Sequence, residues 1–443
     1  MSDIRRARTL FIGIPLAVLM ASGPNRHLTA QAPAGNAPTG AAVLDQWGNR
    51  FTALGASIGE NSLRTQIRTA IAQLAMFDAV NAVLDGPYRP FASKPLSPRG
   101  ASPEAAVIRA AYIVARNEFP TNTATIESAY QASIGLVGAS PAAIADGIAV
   151  GEAAANAVLT TRLGDHRNDP DLEGYAPGNG PGVWIPTPPA FANPQTPFLQ
   201  FVTPFGYDEP ARFRPHAPPA LDSRTYTADY NESRDVGRAT DTSRTAEQSA
   251  TALFWSPSAS ALWIANIRSL AGSMDLLTAA RFEAIGTATV VNALIAAWDA
   301  KYTYMFWRPV TAIGAGDTDG NDETEPDAAW TPFIITPSHP EYPAAHTTVG
   351  AGALGFYTVW FDTDQFPLDF KGNAGALRHY TSVAEIHAEE GNARVWGGMH
   401  WRHSTEVGTR LGGRVGKYTA THLLKPWRRT ERDRDEEEEE SGR

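Results

Sequence analysis

The chain has 443 residues, 43% hydrophobic and 19% charged, with 38 Gly and 33 Pro. That apolar content supplies a large core and excludes wholesale disorder or a small stapled scaffold. With 37 Lys plus Arg against 47 Asp plus Glu, a formal charge of −10 and no cysteine, the composition argues against broad phosphate neutralisation of nucleic acid. It also excludes disulfides, thiolate catalysis and Cys-based metal sites.

Residues 1–32 read as an export signal peptide. Arg5, Arg6 and Arg8 precede an apolar run from Leu10 to Ala21, and Ala30-Gln31-Ala32 offers a small-x-small cleavage site. The run is too short to span a bilayer, which takes about 20 residues. The expected location is therefore exported, periplasmic or secreted, by the general or the twin-arginine route. No other uninterrupted apolar run reads as a span, so no membrane attachment is expected after cleavage.

Helical spacing dominates the chain beyond this leader. Leu63 to Leu84 carries Ile67, Ile71, Leu74 and Ala75 on one face and closes on Asp85-Gly86-Pro87. Further helices are predicted over 105–115, 141–163 (opened by Ser140-Pro141), 245–254, 258–270 and 276–302. Three more are predicted over 346–360, 382–396 and 406–424. Between them, 168–219 is dense in Pro and Gly and reads either as a link between two helical halves or as a surface wrap shaping a pocket mouth. The expectation is an all-α chain of two four-helix bundles with long Pro/Gly-rich loops. Residues 33–427 would form a single helical domain, and 428–443, nearly all charge, a disordered tail.

Three segments place polar residues among apolar neighbours. Lys301 and Arg308 stand seven apart in Trp298-Asp299-Ala300-Lys301…Phe306-Trp307-Arg308-Pro309, which puts both on one face of a helix that Pro309 helps to end. Two such cations call for an anion between them, although snorkelling surface cations give the same pattern. In Ser338-His339-Pro340-Glu341-Tyr342-Pro343-Ala344-Ala345-His346, prolines hold the chain extended until His346 opens a helix, whose N-terminus welcomes an anion. In Arg394-Val395-Trp396-Gly397-Gly398-Met399-His400, an arginine ends a helix and two glycines turn the chain toward His400. His400 with His403 lacks a third ligand at zinc spacing.

Taken in order, Lys301-x6-Arg308-Pro, Pro343-x-x-His346 and Arg394-x5-His400 resemble the three-part oxyanion signature of the vanadium-dependent haloperoxidases. That family shares a superfamily with the type-2 phosphatidic acid phosphatases and class A acid phosphatases. Met76-Phe77-Asp78-Ala79-Val80-Asn81, the Pro-Thr-Pro-Pro run at 186–189, Val202-Thr203-Pro204-Phe205 and His339-Pro340-Glu341-Tyr342-Pro343 extend the resemblance over about residues 43–425. It implies vanadate as cofactor, with His400 bonded to vanadium. Lys301, Arg308, Arg394 and the Ala345 N–H would lie on the equatorial oxygens, and His346 would be the acid–base group. Trp298 and His339 would line the halide pocket, with His at 339 pointing to bromide or iodide rather than chloride. Hydrogen peroxide, halide and a small organic acceptor would be the partners; oligomeric state is not implied.

The sequence departs from the family at two places. The usual Pro-Ser-Gly-His is Pro343-Ala344-Ala345-His346, so a hydroxyl donor is lost. The Asp usual four residues after the vanadium-linked His is Ser404, so a backbone carbonyl or Glu406 would have to orient the imidazole. An acid phosphatase working through a phospho-histidine and a non-catalytic oxyanion-binding homologue stay open as alternatives.

Overall fold

A computed structural model describes residues 40–427, which belong to one compact unit. The proposed signal peptide (1–32) and acidic tail (428–443) lie outside the described residues.

Five helices come first: α1 (Ala41–Ser57), α2 (Ser62–Val83), α3 (Pro103–Glu118), α4 (Thr123–Ile134) and α5 (Pro141–Thr161). Local chemistry sets their starts. The Asn61, Ser102 and Ser140 side chains accept the first free N–H groups of α2, α3 and α5, and Pro103 and Pro141 open the latter two. By length and a mean hydropathy of 1.4, α5 would pass for a membrane span, although Asp146 and Glu152 interrupt its apolar run; it packs along α2 and α3.

The second set is α6 (Arg224–Val236), α7 (Ala246–Phe254), α8 (Ala259–Ala271), α9 (Leu276–Tyr304), α10 (Pro309–Gly314) and α11 (Ala345–Phe361). The chain then makes an antiparallel hairpin, β1 (Gln365–Lys371) with β2 (Leu377–Ser382), and ends on α12 (Val383–Trp396) and α13 (Arg402–His422). Helices α1, α2, α3 and α5 form one bundle, and α8, α9, α11 and α13 the other, joined by α2 against α9. The mainly helical architecture expected from the sequence is observed. The hairpin, α1, α4, α6 and α10 were not anticipated. α6 is polar, with only Tyr226, Asp229, Tyr230 and Ser233 buried, so its apolar stripe is too thin to read.

Two packing features position the site. Every residue of α9 from Phe282 to Tyr302 is buried, mostly alanine and β-branched, so its C-terminal end delivers side chains into the core. α13 presents Gly408, Gly412 and Gly416 to α11. A Cβ on Gly412 would stand 2.0 Å from the Thr348 carbonyl oxygen, and one on Gly416 2.0 Å from that of Gly352. The missing side chains let the two helices approach backbone to backbone, which fixes the start of α11 against the start of α13.

The segment 162–223 both links the bundles and lines the site. Its Trp184 N–H donates to Met305 O (2.6 Å), and Gln195 O accepts from Trp298 Nε1 (3.1 Å) and the Tyr302 hydroxyl (3.0 Å).

Candidate active site

Lys301 and Arg308 do not share a helix. α9 stops at Tyr304 because Met305 takes a left-handed conformation (φ 48°), and Arg308 caps α10, of which Pro309 is the first residue. The proline therefore starts a helix rather than ending one. Residues 305–308 run between two other segments, with Trp307 N–H on Gly182 O (3.0 Å) and Glu341 N–H on Phe306 O (2.8 Å). The two cations still meet, by tertiary contact.

Lys301, Arg308, Arg394 and His400 are 0–1% exposed, and His346, in the first turn of α11, is partly open. Arg308 is the hub. It donates from Nη1 to His400 Nε2 (3.0 Å) and Met399 O (2.8 Å), from Nε to His339 O (2.9 Å) and from Nη2 to His339 Nδ1 (2.9 Å). A guanidinium can only donate, so both imidazole nitrogens it meets are acceptors. His400 therefore carries its proton on Nδ1 and gives it to Glu341 Oε1 (2.7 Å), while the shorter Arg308 contact takes the His339 Nδ1 lone pair in preference to a bond from Nδ1 to Pro340 O (3.1 Å) and puts the His339 proton on Nε2. Arg394 donates to Trp255 O (3.0 Å) and reaches Met399 Sδ (3.1 Å), and its Nε has no hydrogen-bond partner among the described residues. His346 Nε2 donates to Pro257 O (2.9 Å), leaving Nδ1 as the ring's open nitrogen.

Lys301 is used differently. Its three N–H groups all go to backbone carbonyls, of Pro340 (2.7 Å), Glu341 (2.9 Å) and Pro343 (2.6 Å). It fastens the strand leading into α11 and brings charge, with no N–H left over.

Glu341 went unnoticed in the sequence. It is wholly buried and takes the role of the missing acid at Ser404: besides His400 it accepts the Trp401 N–H (3.1 Å). Neither Glu406, which is exposed, nor a backbone carbonyl orients the imidazole, contrary to expectation. The signal was present as an acid flanked by prolines, but nothing local shows which histidine it faces. Glu390, one turn before Arg394, is likewise wholly buried; it fits because Gly350 on α11 has no side chain, a Cβ there standing 2.0 Å from Oε2. His403 turns away and stacks on Tyr342.

A pocket of about 220 Å³ opens here, lined by Trp298, His339, Ala345, His346, Arg394 and Met399, with Gln195, Ser256, Ser258 and Ser260 also on its wall. Lys301, Arg308 and His400 are not on that wall; Arg308 reaches it through His339 and Met399. Burial, followed by the neighbouring cations, holds Lys301, His339, His346 and His400 well below their ordinary values. Burial brings Arg308 down to about 10 and Arg394 to about 9, and pushes the Glu341 carboxyl up to about 7 and that of Glu390 to about 8. Three buried cations thus face two carboxyls that burial makes reluctant to ionise, an imbalance that an anion relieves.

Residues 281–429 match the family model described as the VCPO second helical-bundle domain. The model of eukaryotic translation initiation factor eIF2A also matches 230–312, a helical stretch that overlaps it. The vanadium chloroperoxidase of Curvularia inaequalis is 25% identical, the match covering 53% of either chain, so this chain spans about half the length of that curated relative. A bacterial vanadium-dependent iodoperoxidase superposes with a TM-score of 0.75 at 24% identity, covering 89% of this chain and all of that one. A holo-type bacterial vanadium-dependent chloroperoxidase gives 0.59 at 19% identity, over 80% and 90%. The chain therefore has the fold of the vanadium haloperoxidases and, over residues 281–429, resembles the second helical-bundle domain described by that family model.

Proposed function

We propose that the protein is a vanadate-dependent haloperoxidase that oxidises bromide or iodide with hydrogen peroxide to the hypohalous acid, which a small organic acceptor takes up. The observation that carries this is the excess of buried cations around an imidazole whose Nε2 is held as a lone pair.

The donor set fits vanadate. His400 Nε2 would bond the metal, Arg394 would place a planar N–H fork on its oxygens, Arg308 would add charge and the one Nη2 hydrogen its partners leave over, and the Ala345 N–H would add a donor from the unsatisfied first turn of α11. Lys301 would add charge and hold the Pro340–Pro343 carbonyls. When bound, vanadate supplies a Lewis-acidic centre that activates peroxide toward halide without changing oxidation state.

The remaining roles belong to the chain. Glu341 keeps the His400 proton on Nδ1. His346, with Nε2 fixed on Pro257 O, has Nδ1 to accept and return a proton, and an anion among the cations that depress it would raise its affinity for one. His339 presents Nε2–H beside the Trp298 ring (5.0 Å), a donor and an apolar face suited to a large, weakly hydrated halide. Ala344 provides no hydroxyl, and the loss of one hydrogen bond to a charged group lowers oxyanion affinity by about tenfold or more.

The test is halogenation of a phenol dye with orthovanadate, peroxide and bromide or iodide. Turnover that depends on vanadate and is lost in His400→Ala supports the reading; no turnover from acid to neutral pH overturns it. Phosphate-ester hydrolysis without vanadium, blocked by vanadate, would assign the pocket to phosphoryl transfer instead.

A further inference from the structure

On the other face of the segment that carries Glu341 lies a second cavity, of about 280 Å³. That is near the lower end of small-molecule sites, about 300–1,000 Å³, so its ligand is small. The floor is apolar and closed: Phe213, Tyr342, Val407 and Leu411 are 7%, 1%, 6% and 2% exposed. The rim is basic, formed by His216, His403, Arg410 and Arg414. Helix geometry produces this contrast. Val407 and Leu411 recur every four residues on the inner side of α13, and Arg410 and Arg414 do so three residues further round, on its exposed side.

The rim cations are poorly matched. Arg414 makes no ion pair among the described residues and stands 5.5 Å from the Phe213 ring centroid. The nearest carboxylate to Arg410 is Glu406 at 3.9 Å, with both side chains more than half exposed, a pair of little strength. The charge of Arg410 nonetheless reaches the floor ring of Tyr342 and the rim ring of His403, which lie parallel within 6°. The Tyr342 hydroxyl is committed to His216 O (2.8 Å), which fixes the ring as a wall. Two guanidinium forks therefore have free donors above an aromatic and aliphatic floor. Forks match a carboxylate bidentately, and the floor calls for an apolar body attached to it; a bare inorganic anion would leave that floor in water.

We propose that this cavity is a binding site for a small aromatic carboxylate, separate from the oxyanion pocket. The assignment does not depend on the peroxidase reading, because the two pockets share no wall residue.

Calorimetric titration of the full chain with benzoate, acetate and inorganic phosphate tests it. Benzoate should bind more tightly than acetate or phosphate, and about tenfold or more weakly to Arg410→Ala/Arg414→Ala, with Arg414→Lys between because it keeps charge and loses the fork. Arg394→Lys, a change in the oxyanion pocket, should leave benzoate affinity as it is. Thermal unfolding of each variant reports whether the fold is intact, which the exposure of residues 410 and 414 favours. Unchanged benzoate affinity in the double variant overturns the proposal, as does its loss in Arg394→Lys. Equal binding of acetate, phosphate and benzoate also overturns it, leaving an unselective cationic patch. Orthovanadate titrated into the same variants reads the oxyanion pocket separately.

Discussion

Glu341 and Glu390 show how burial makes two carboxyls do different work. Glu341 accepts from His400 Nδ1, so Glu341→Ala strands a buried N–H at a cost of about 1–3 kcal/mol. We expect that variant to bind orthovanadate at least tenfold more weakly by calorimetry. Glu341→Gln, which keeps an accepting oxygen, should retain most of the affinity. Equal loss in both would show that charge rather than tautomer control is what Glu341 contributes. Glu390 is pushed up to about 8 by burial, against 4.5 for a free glutamate. Between those values the folded chain keeps a proton that the unfolded chain has released. Stability therefore falls as pH rises through that window and is unaffected below it. Glu390→Gln should stabilise the protein at pH 8, on the order of a few kcal/mol, and little at pH 4, as read from thermal unfolding across pH.

The same logic extends to elements. α11 and α13 touch through glycines; the first turn of α11 carries His346 into the site, and α13 starts directly after His400, with the Trp401 N–H on Glu341. Gly412→Ala puts a methyl onto the Thr348 carbonyl, an overpacking that should cost about 1–3 kcal/mol in chemical denaturation. Because the clash levers α11, oxyanion affinity should fall with it; a stability loss without an affinity loss would separate the packing from the site. The segment 340–343 is the second such element. Lys301 grips its carbonyls, Glu341 reaches one pocket and Tyr342 floors the other, so Lys301→Met should disturb both. The long helices of the two bundles were readable from spacing and, for α5, from its Ser140-Pro141 start. α6 and the β1–β2 hairpin were not, since few of their side chains enter the core. The placement of Arg308 failed for a definite reason: a two-turn spacing suggests a shared helix face, but Met305 turns left-handed and Pro309 begins a new helix.

At the scale of the molecule, two bundles share one core and the cation pocket lies in the second, roofed by the 162–223 crossing and the α7–α8 connection. A ligand that binds only the folded chain adds stability by mass action, about 2.7 kcal/mol at a hundred times its dissociation constant. Orthovanadate should accordingly raise the thermal midpoint of the wild type and not that of His400→Ala, with inorganic phosphate competing. A midpoint raised equally in both would place the anion elsewhere. The sequence by itself determined the helical class, most helix starts and the residues that could gather round an oxyanion, because periodicity, caps and motif order are local or carried in the chain. Only the tertiary structure decided that Glu341 rather than a neighbour of His400 orients the imidazole, that Lys301 spends its three N–H groups on carbonyls, and that arginines on the far side of Tyr342 frame a second cavity. Those outcomes depend on which distant groups are brought within about 3 Å of one another.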